Sequence, residues 1–218
     1  MAIICNVYPP DGGRTKREVE DNPNADLGNS PMAWPATQKF RWTLENTVSG
    51  LDRATMEGAI TRALDKWAEA TKDTFKFTFA KSDAGTEPPP NMVISVVGPE
   101  GSDSDFAEGR DGSKVAAAAR LGPAGATNTL DAETNTFQAP VKLNDSPTRP
   151  KWNPFMFHNC FLHEVGHSLG LGHTLTEGAV MGRSYQEGSK FFLEDVDLAD
   201  DDKKRMTDYF TKKNKSSS

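Results

Sequence analysis

Apolar Phe40, Trp42 and Leu44 alternate with polar Arg41, Thr43 and Glu45, a period of two that predicts a strand with one buried face. A helical period takes over after Asp52, a good N-cap, with Met56, Ile60, Ala63, Leu64 and Trp67 on one stripe. Phe75, Phe77 and Phe79 alternate again, and residues 91–97 form a short apolar run suited to a buried strand. Residues 114–120 carry a run of alanines that fits strand or short helix; length and flanking glycines favour a strand. Val141-Lys142-Leu143 is another short strand. Residues 155–169 are apolar and long enough for a helix, and a last helix spans about 198–212 with Met206, Tyr209 and Phe210 on its buried side. Strand, helix, three or four strands, then helices: this order predicts an α+β fold with one sheet backed by helices.

Before Gln38 no periodicity survives. Pro9-Pro10, Gly12-Gly13, Asn22-Pro23, Pro31 and Pro35 interrupt it. Residues 1–37 therefore read as an irregular N-terminal segment, 38–213 as one domain and 214–218 as a disordered tail. Residues 98–112 form a loop rich in Gly and Asp, and there is no internal repeat.

With 218 residues, 36% of them hydrophobic, the chain can bury a core without covalent staples. Its net charge of −6, with basic residues clustered only in the short tail, argues against a nucleic-acid partner. No apolar run approaches membrane-span length. The two cysteines, Cys5 and Cys160, exclude a disulfide framework, and Cys160 lies in an apolar run as a core residue. Residues 1–6 lack the basic and apolar regions of a signal peptide. That leaves an intracellular protein, or one whose leader is already removed. A monomer is expected.

The chemistry concentrates in His163-Glu164-Val165-Gly166-His167-Ser168-Leu169-Gly170-Leu171-Gly172-His173, which holds three of the four histidines of the chain. Residues four apart share a helix face, so His163 and His167 can direct ring nitrogens at one metal. A third ligand requires the chain to stop being helical and turn back. Gly170 permits this, because a residue without Cβ adopts positive φ readily. His173 then completes three protein ligands, and a fourth position remains for water, as in catalytic zinc sites. Glu164, beside the first ligand, is the general base for that water. The competing reading is an amphipathic helix that merely carries histidines. His158 precedes His163 by five residues on a different face, as a packed histidine.

This extended motif, followed by Ala179-Val180-Met181, resembles the metzincin metallopeptidases, in which a methionine turn underlies the metal histidines. Met181 takes that place. Within the metzincins the chain is similar to the matrixins. A small polar residue, Thr174, follows the third histidine as in that family, and an astacin-like enzyme fits Thr174 poorly. Residues 40–44 resemble the family's first strand, 60–67 its first helix and 198–210 its last. The resemblance implies a five-stranded twisted, mostly parallel sheet, three helices and a cleft. A protein or peptide substrate would lie along an edge strand at residues 114–121. It implies a zinc endopeptidase, secreted, with Tyr185 walling the pocket for the residue after the scissile bond. The family's Pro-x-Tyr reads Arg183-Ser184-Tyr185 here, so the proline is missing. The alternative function is a zincin-fold zinc-binding or interaction module without turnover, against which the intact Glu164 argues.

Two further expectations rest on the resemblance. Matrixins are held latent by a prosegment cysteine on the zinc, and Cys5 is the only upstream cysteine, although Ile4-Cys5-Asn6-Val7 does not reproduce the family's motif. Matrixins also carry a second, structural zinc held by three histidines and an aspartate. Here all four histidines lie at or beyond residue 158, so one zinc is expected. Asp103, Asp105 and Asp111 offer the hard oxygen donors that calcium prefers, and they equally read as a solvated acidic loop.

Overall fold

The computed structural model of the protein describes residues 2–8, 34, 38–83, 85, 87–98, 106, 115–122, 139–145, 151–182, 184–186 and 188–215. In chain order these form β1 (Ala2–Tyr8), β2 (Lys39–Leu44), α1 (Arg53–Thr71), β3 (Thr78–Lys81), β4 (Met92–Val97), β5 (Val115–Arg120), β6 (Val141–Asn144), α2 (Pro154–Leu169), β7 (Ser184–Gln186), α3 (Lys190–Leu193) and α4 (Asp200–Lys215). Asp103, Asp105, Asp111, Arg183 and residues 216–218 lie outside the described residues.

The alternating pattern of β2 buries Phe40, Trp42 and Leu44. This strand pairs in parallel with β3 on one side and β4 on the other, with Trp42 opposite both Lys81 and Met92. Next comes β6, also parallel, and β5 returns antiparallel with Ala117 opposite Leu143. These five strands make the mostly parallel sheet of an α+β fold. Among the Phe75, Phe77 and Phe79 alternation, only Thr78–Lys81 pairs as a strand. Phe75 and Phe77 are buried ahead of it and meet Phe210 of α4 at ring separations of 4.2 and 5.2 Å.

Two more strands extend the sheet beyond β5, giving the order β3-β2-β4-β6-β5-β1-β7. Residues 1–37 read as irregular from their prolines and glycines, yet Ala2–Tyr8 precedes the first of these and is rich in β-formers. It pairs parallel to β5, with Cys5 opposite Ala117, and antiparallel to β7, with Ile3 opposite Tyr185. The pairing shifts register between Ile4 and Cys5.

Asp52 caps α1 by accepting the N–H of Thr55 at 2.7 Å. The stripe from Met56 to Trp67 is fully buried. Trp67 also donates its indole N–H to the Leu162 carbonyl of α2 at 2.9 Å, joining the two long helices. Trp34 is 2% exposed, packs edge-on against Phe40 and donates its indole N–H to Ser168 O at 2.7 Å. The three long helices match the expected number, and α3 adds a single short turn.

Candidate metal centre

All residues of α2 from Met156 to Leu169 are buried. The helix therefore runs through the interior, and any polar side chain on it must find a partner or a ligand. Asn153 caps its start by accepting the Met156 N–H at 2.9 Å, and Pro154 occupies the first turn, where no N–H is required. Its end is set by Gly170, whose φ of 118° is open to glycine and costly for other residues. The Gly170 N–H closes on the carbonyls of Gly166 and His167, and the Leu171 N–H on that of Gly166.

The reversal brings His173 back to the helix. One nitrogen from each of His163, His167 and His173 lies within 4.8 Å of the others, and all three residues are buried. His167 Nε2 stands 3.2 Å from His173 Nε2. The Nδ1 atoms of the two helical histidines face carbonyls: Val180 O at 2.6 Å from His163 and Leu171 O at 2.6 Å from His167. An N–H donated there fixes the tautomer and leaves the Nε2 lone pair directed at the cluster. His163 Nε2 is buried without a hydrogen-bond partner. Burial holds the His163 pKa down to about 4, and burial, reinforced by neighbouring positive charge on His163 and His173, holds His167 well below its ordinary value. Both are neutral at pH 7, as metal ligands must be. The donor set fits a tetrahedral zinc with one position left over.

Glu164, one residue along the same helix, is completely buried. The turn Ala179–Met181 meets the first histidine through the Val180 carbonyl. Asp202 of α4 holds this turn, accepting the N–H groups of Val180 at 2.8 Å and Met181 at 3.1 Å, together with Ala199 at 3.0 Å. Burial pushes the Asp202 carboxyl pKa up against those three hydrogen bonds, which favour the anion. Met181 is fully buried against Gly166, where a Cβ would overlap its sulfur.

Two buried histidines four apart on one helix and a third beyond a glycine reversal come together here, and Met181 packs on the glycine between the first two. The matrixin family model matches residues 33–211. The chain belongs to the matrixin family. It is similar to interstitial collagenase A of Mus musculus, 29% identical over 188 residues, covering 86% of this chain and 35% of that protein. It is also similar to the interstitial collagenases of Equus caballus and Oryctolagus cuniculus, each 28% identical, covering 78% of this chain and 31% of theirs. The chain thus spans about a third of the length of these relatives. The matrixins are zinc metallopeptidases, and among the described residues the three-histidine cluster is the group that fits that metal.

Tyr185 of this matrixin is half-buried. Its hydroxyl donates to Val180 O and lies 3.1 Å from His163 Nδ1, and its ring stacks on Phe191 with centroids 3.6 Å apart. Cys5 has its backbone in β1, and its side chain lies outside what the structure describes. Cys160 is buried and unpaired in a disulfide. His158 is buried with Nδ1 3.1 Å from Ala59 O, as a packed histidine would be. Sequence reasoning missed Asp202 and Trp34. Three adjacent acidic residues at a helix start look like a solvated face, and a lone tryptophan among prolines looks like part of a loop.

Proposed function

We propose that this matrixin is a zinc endopeptidase in which His163, His167 and His173 hold one zinc and Glu164 is the general base. The observation that carries this reading is the convergence of three buried imidazoles, the first of them followed on its helix by a buried carboxylate. Zinc held by these three residues would supply Lewis acidity, lowering the pKa of a bound water and polarising a peptide carbonyl. Glu164 would take the proton from that water at a carboxylate oxygen and return it to the leaving nitrogen. Met181 is the apolar floor that keeps the histidines in place.

The substrate class is protein or peptide, bound as an extended strand on β5, with Tyr185 walling the pocket for the residue after the cleaved bond. The position of the Tyr185 ring, 6.0 Å from that of His163, supports this. The pairing of β1 with both β5 and β7 supports a prosegment role for residues 1–37, since it occupies the backbone groups a peptide would use. Cys5, midway along β1, is the candidate thiolate for latency. No histidine precedes residue 158, which supports a single zinc; Asp103, Asp105 and Asp111 are the donors for calcium if a second cation binds. A secreted monomer acting without nucleic acid or membrane completes the reading, and no described helix is long and apolar enough to cross a membrane.

Metal analysis together with cleavage of a quenched peptide library, with and without chelator, tests it. One zinc per chain and chelator-sensitive cleavage are expected. A protein that binds zinc and cleaves no peptide would instead be a silent zincin-fold module.

A further inference from the structure

The third ligand is the one not carried by a helix. Residues 171–173 have no regular hydrogen-bond ladder, so the position of His173 depends on what grips its backbone. From inside, the His167 ring bonds Leu171 O and the Leu171 N–H bonds Gly166 O. Just beyond the ligand, the Thr174 N–H donates to Met181 O at 2.9 Å and the Thr174 hydroxyl to Asp201 Oδ2 at 3.1 Å. At the ligand itself the grip comes from α4: Arg205 Nη2 donates to His173 O at 3.1 Å. Arg205 lies three residues after Asp202, on the same face of α4. One helix therefore holds the methionine turn with a carboxylate and the third-ligand loop with a guanidinium.

We infer that Arg205 is a positioning residue for the metal centre, fixing His173 through its backbone carbonyl. It acts on the metal ligand through the main chain, and the inference rests on the zinc reading above. Arginine suits this role because it stays charged at any working pH and its planar fork holds a fixed direction. A charged donor to a carbonyl also makes a stronger hydrogen bond than a neutral one. Without it, His173 O, in a residue only 6% exposed, loses a partner that water cannot readily replace.

The test is zinc affinity of the full chain by competition with a chelator, measured beside the melting temperature of the metal-free protein. Arg205→Gln is expected to weaken zinc binding by about 10-fold, the lower end of the loss seen when an outer partner of a metal ligand is removed. The metal-free melting temperature should fall by no more than several degrees, the cost of one buried carbonyl without its donor, so that the affinity is read on folded protein. Arg205→Lys should recover most of the affinity, since an ammonium also donates to a carbonyl. Cobalt(II) loaded in place of zinc should show an altered visible spectrum in Arg205→Gln and a near-normal one in Arg205→Lys. Unchanged zinc affinity and an unchanged cobalt spectrum in Arg205→Gln would overturn the inference. If Arg205→Gln fails to fold, Arg205→Met, which keeps the aliphatic stem and removes the donor, takes its place: a folded protein with weakened zinc binding supports positioning, and wild-type affinity overturns it. These readouts do not depend on peptide turnover, so a protein that binds zinc and cleaves nothing would defeat the peptidase reading and leave this one standing.

Discussion

Met181 packs directly on Gly166: a Cβ at Gly166 would overlap the methionine sulfur and lie 2.9 Å from Trp67 Cζ2. The glycine between the two helical ligands is thus the surface on which the methionine turn rests. Gly166→Ala should destabilise the protein by about 1–3 kcal/mol, the usual cost of overpacking. Met181→Ala made in the Gly166→Ala background should recover part of that loss, because the two side chains compete for one space. Thermal melts of the four proteins check this. Strictly additive losses would mean that the contact does not govern the site.

Glu164→Ala removes the proposed base and leaves every metal ligand. Zinc content should stay at the wild-type level while cleavage of a quenched peptide falls by at least about 10²-fold, the scale of general-base catalysis. Near-normal turnover in the variant would remove Glu164 from the mechanism.

Acid should weaken the metal-free protein through its buried histidines. Burial lowers the pKa of His158, holds His163 at about 4 and holds His167 lower than its ordinary value. In the unfolded chain each titrates near about 6.5. As pH falls, the unfolded state binds protons first, so stability is lost below about 6.5 and stops falling only once the folded-state values are passed, near 4 for His163. For His163 the slope approaches about 1.4 kcal/mol per pH unit within this window, and His158 and His167 add to it in the same direction. Melting temperatures between pH 7.5 and 4.5 should show the fall. His158→Leu should make it shallower without touching a metal ligand. A flat profile would mean that these imidazoles are not buried neutral.

Much of the site was legible because its chemistry is local. Spacing of four on a helix, a glycine that permits φ of 118° and a third histidine three residues on are short-range rules, and they produced the cluster. The strands β2 and β4 and the long helices followed from periodicity for the same reason. What sequence could not supply was long-range pairing. Nothing in Ala2–Tyr8 says that it joins β5 more than a hundred residues later. Asp202 and Trp34 act through backbone groups of Val180, Met181 and Ser168, and backbone groups leave no trace in the pattern. The Phe75–Phe79 alternation matched the burial of Phe75 and Phe77 and ran longer than the strand: these two rings meet Phe210 of α4, and backbone pairing begins only at Thr78.

The two tethers of the N-terminal region should separate in truncations. β1 pairs with β5 and β7, beside the ring of Tyr185 and hence beside His163. Trp34 acts elsewhere, its indole capping the Ser168 carbonyl at the end of the metal helix. A chain starting at Met32 loses β1 and keeps Trp34, and one starting at Gln38 loses both. If β1 shields the cleft, the Met32 start should cleave a quenched peptide faster than the full chain, with a similar melting temperature. The Gln38 start should melt lower, because a buried indole and its hydrogen bond are gone. Removing a large buried aromatic costs about 3–5 kcal/mol. Cys5→Ser in the full chain then divides the shielding into its parts. Activity equal to that of the Met32 start would make the thiolate the whole of the block. Activity equal to that of the full chain would assign the block to strand pairing alone. Equal rates for the full chain and the Met32 start would show that β1 does not restrain the enzyme.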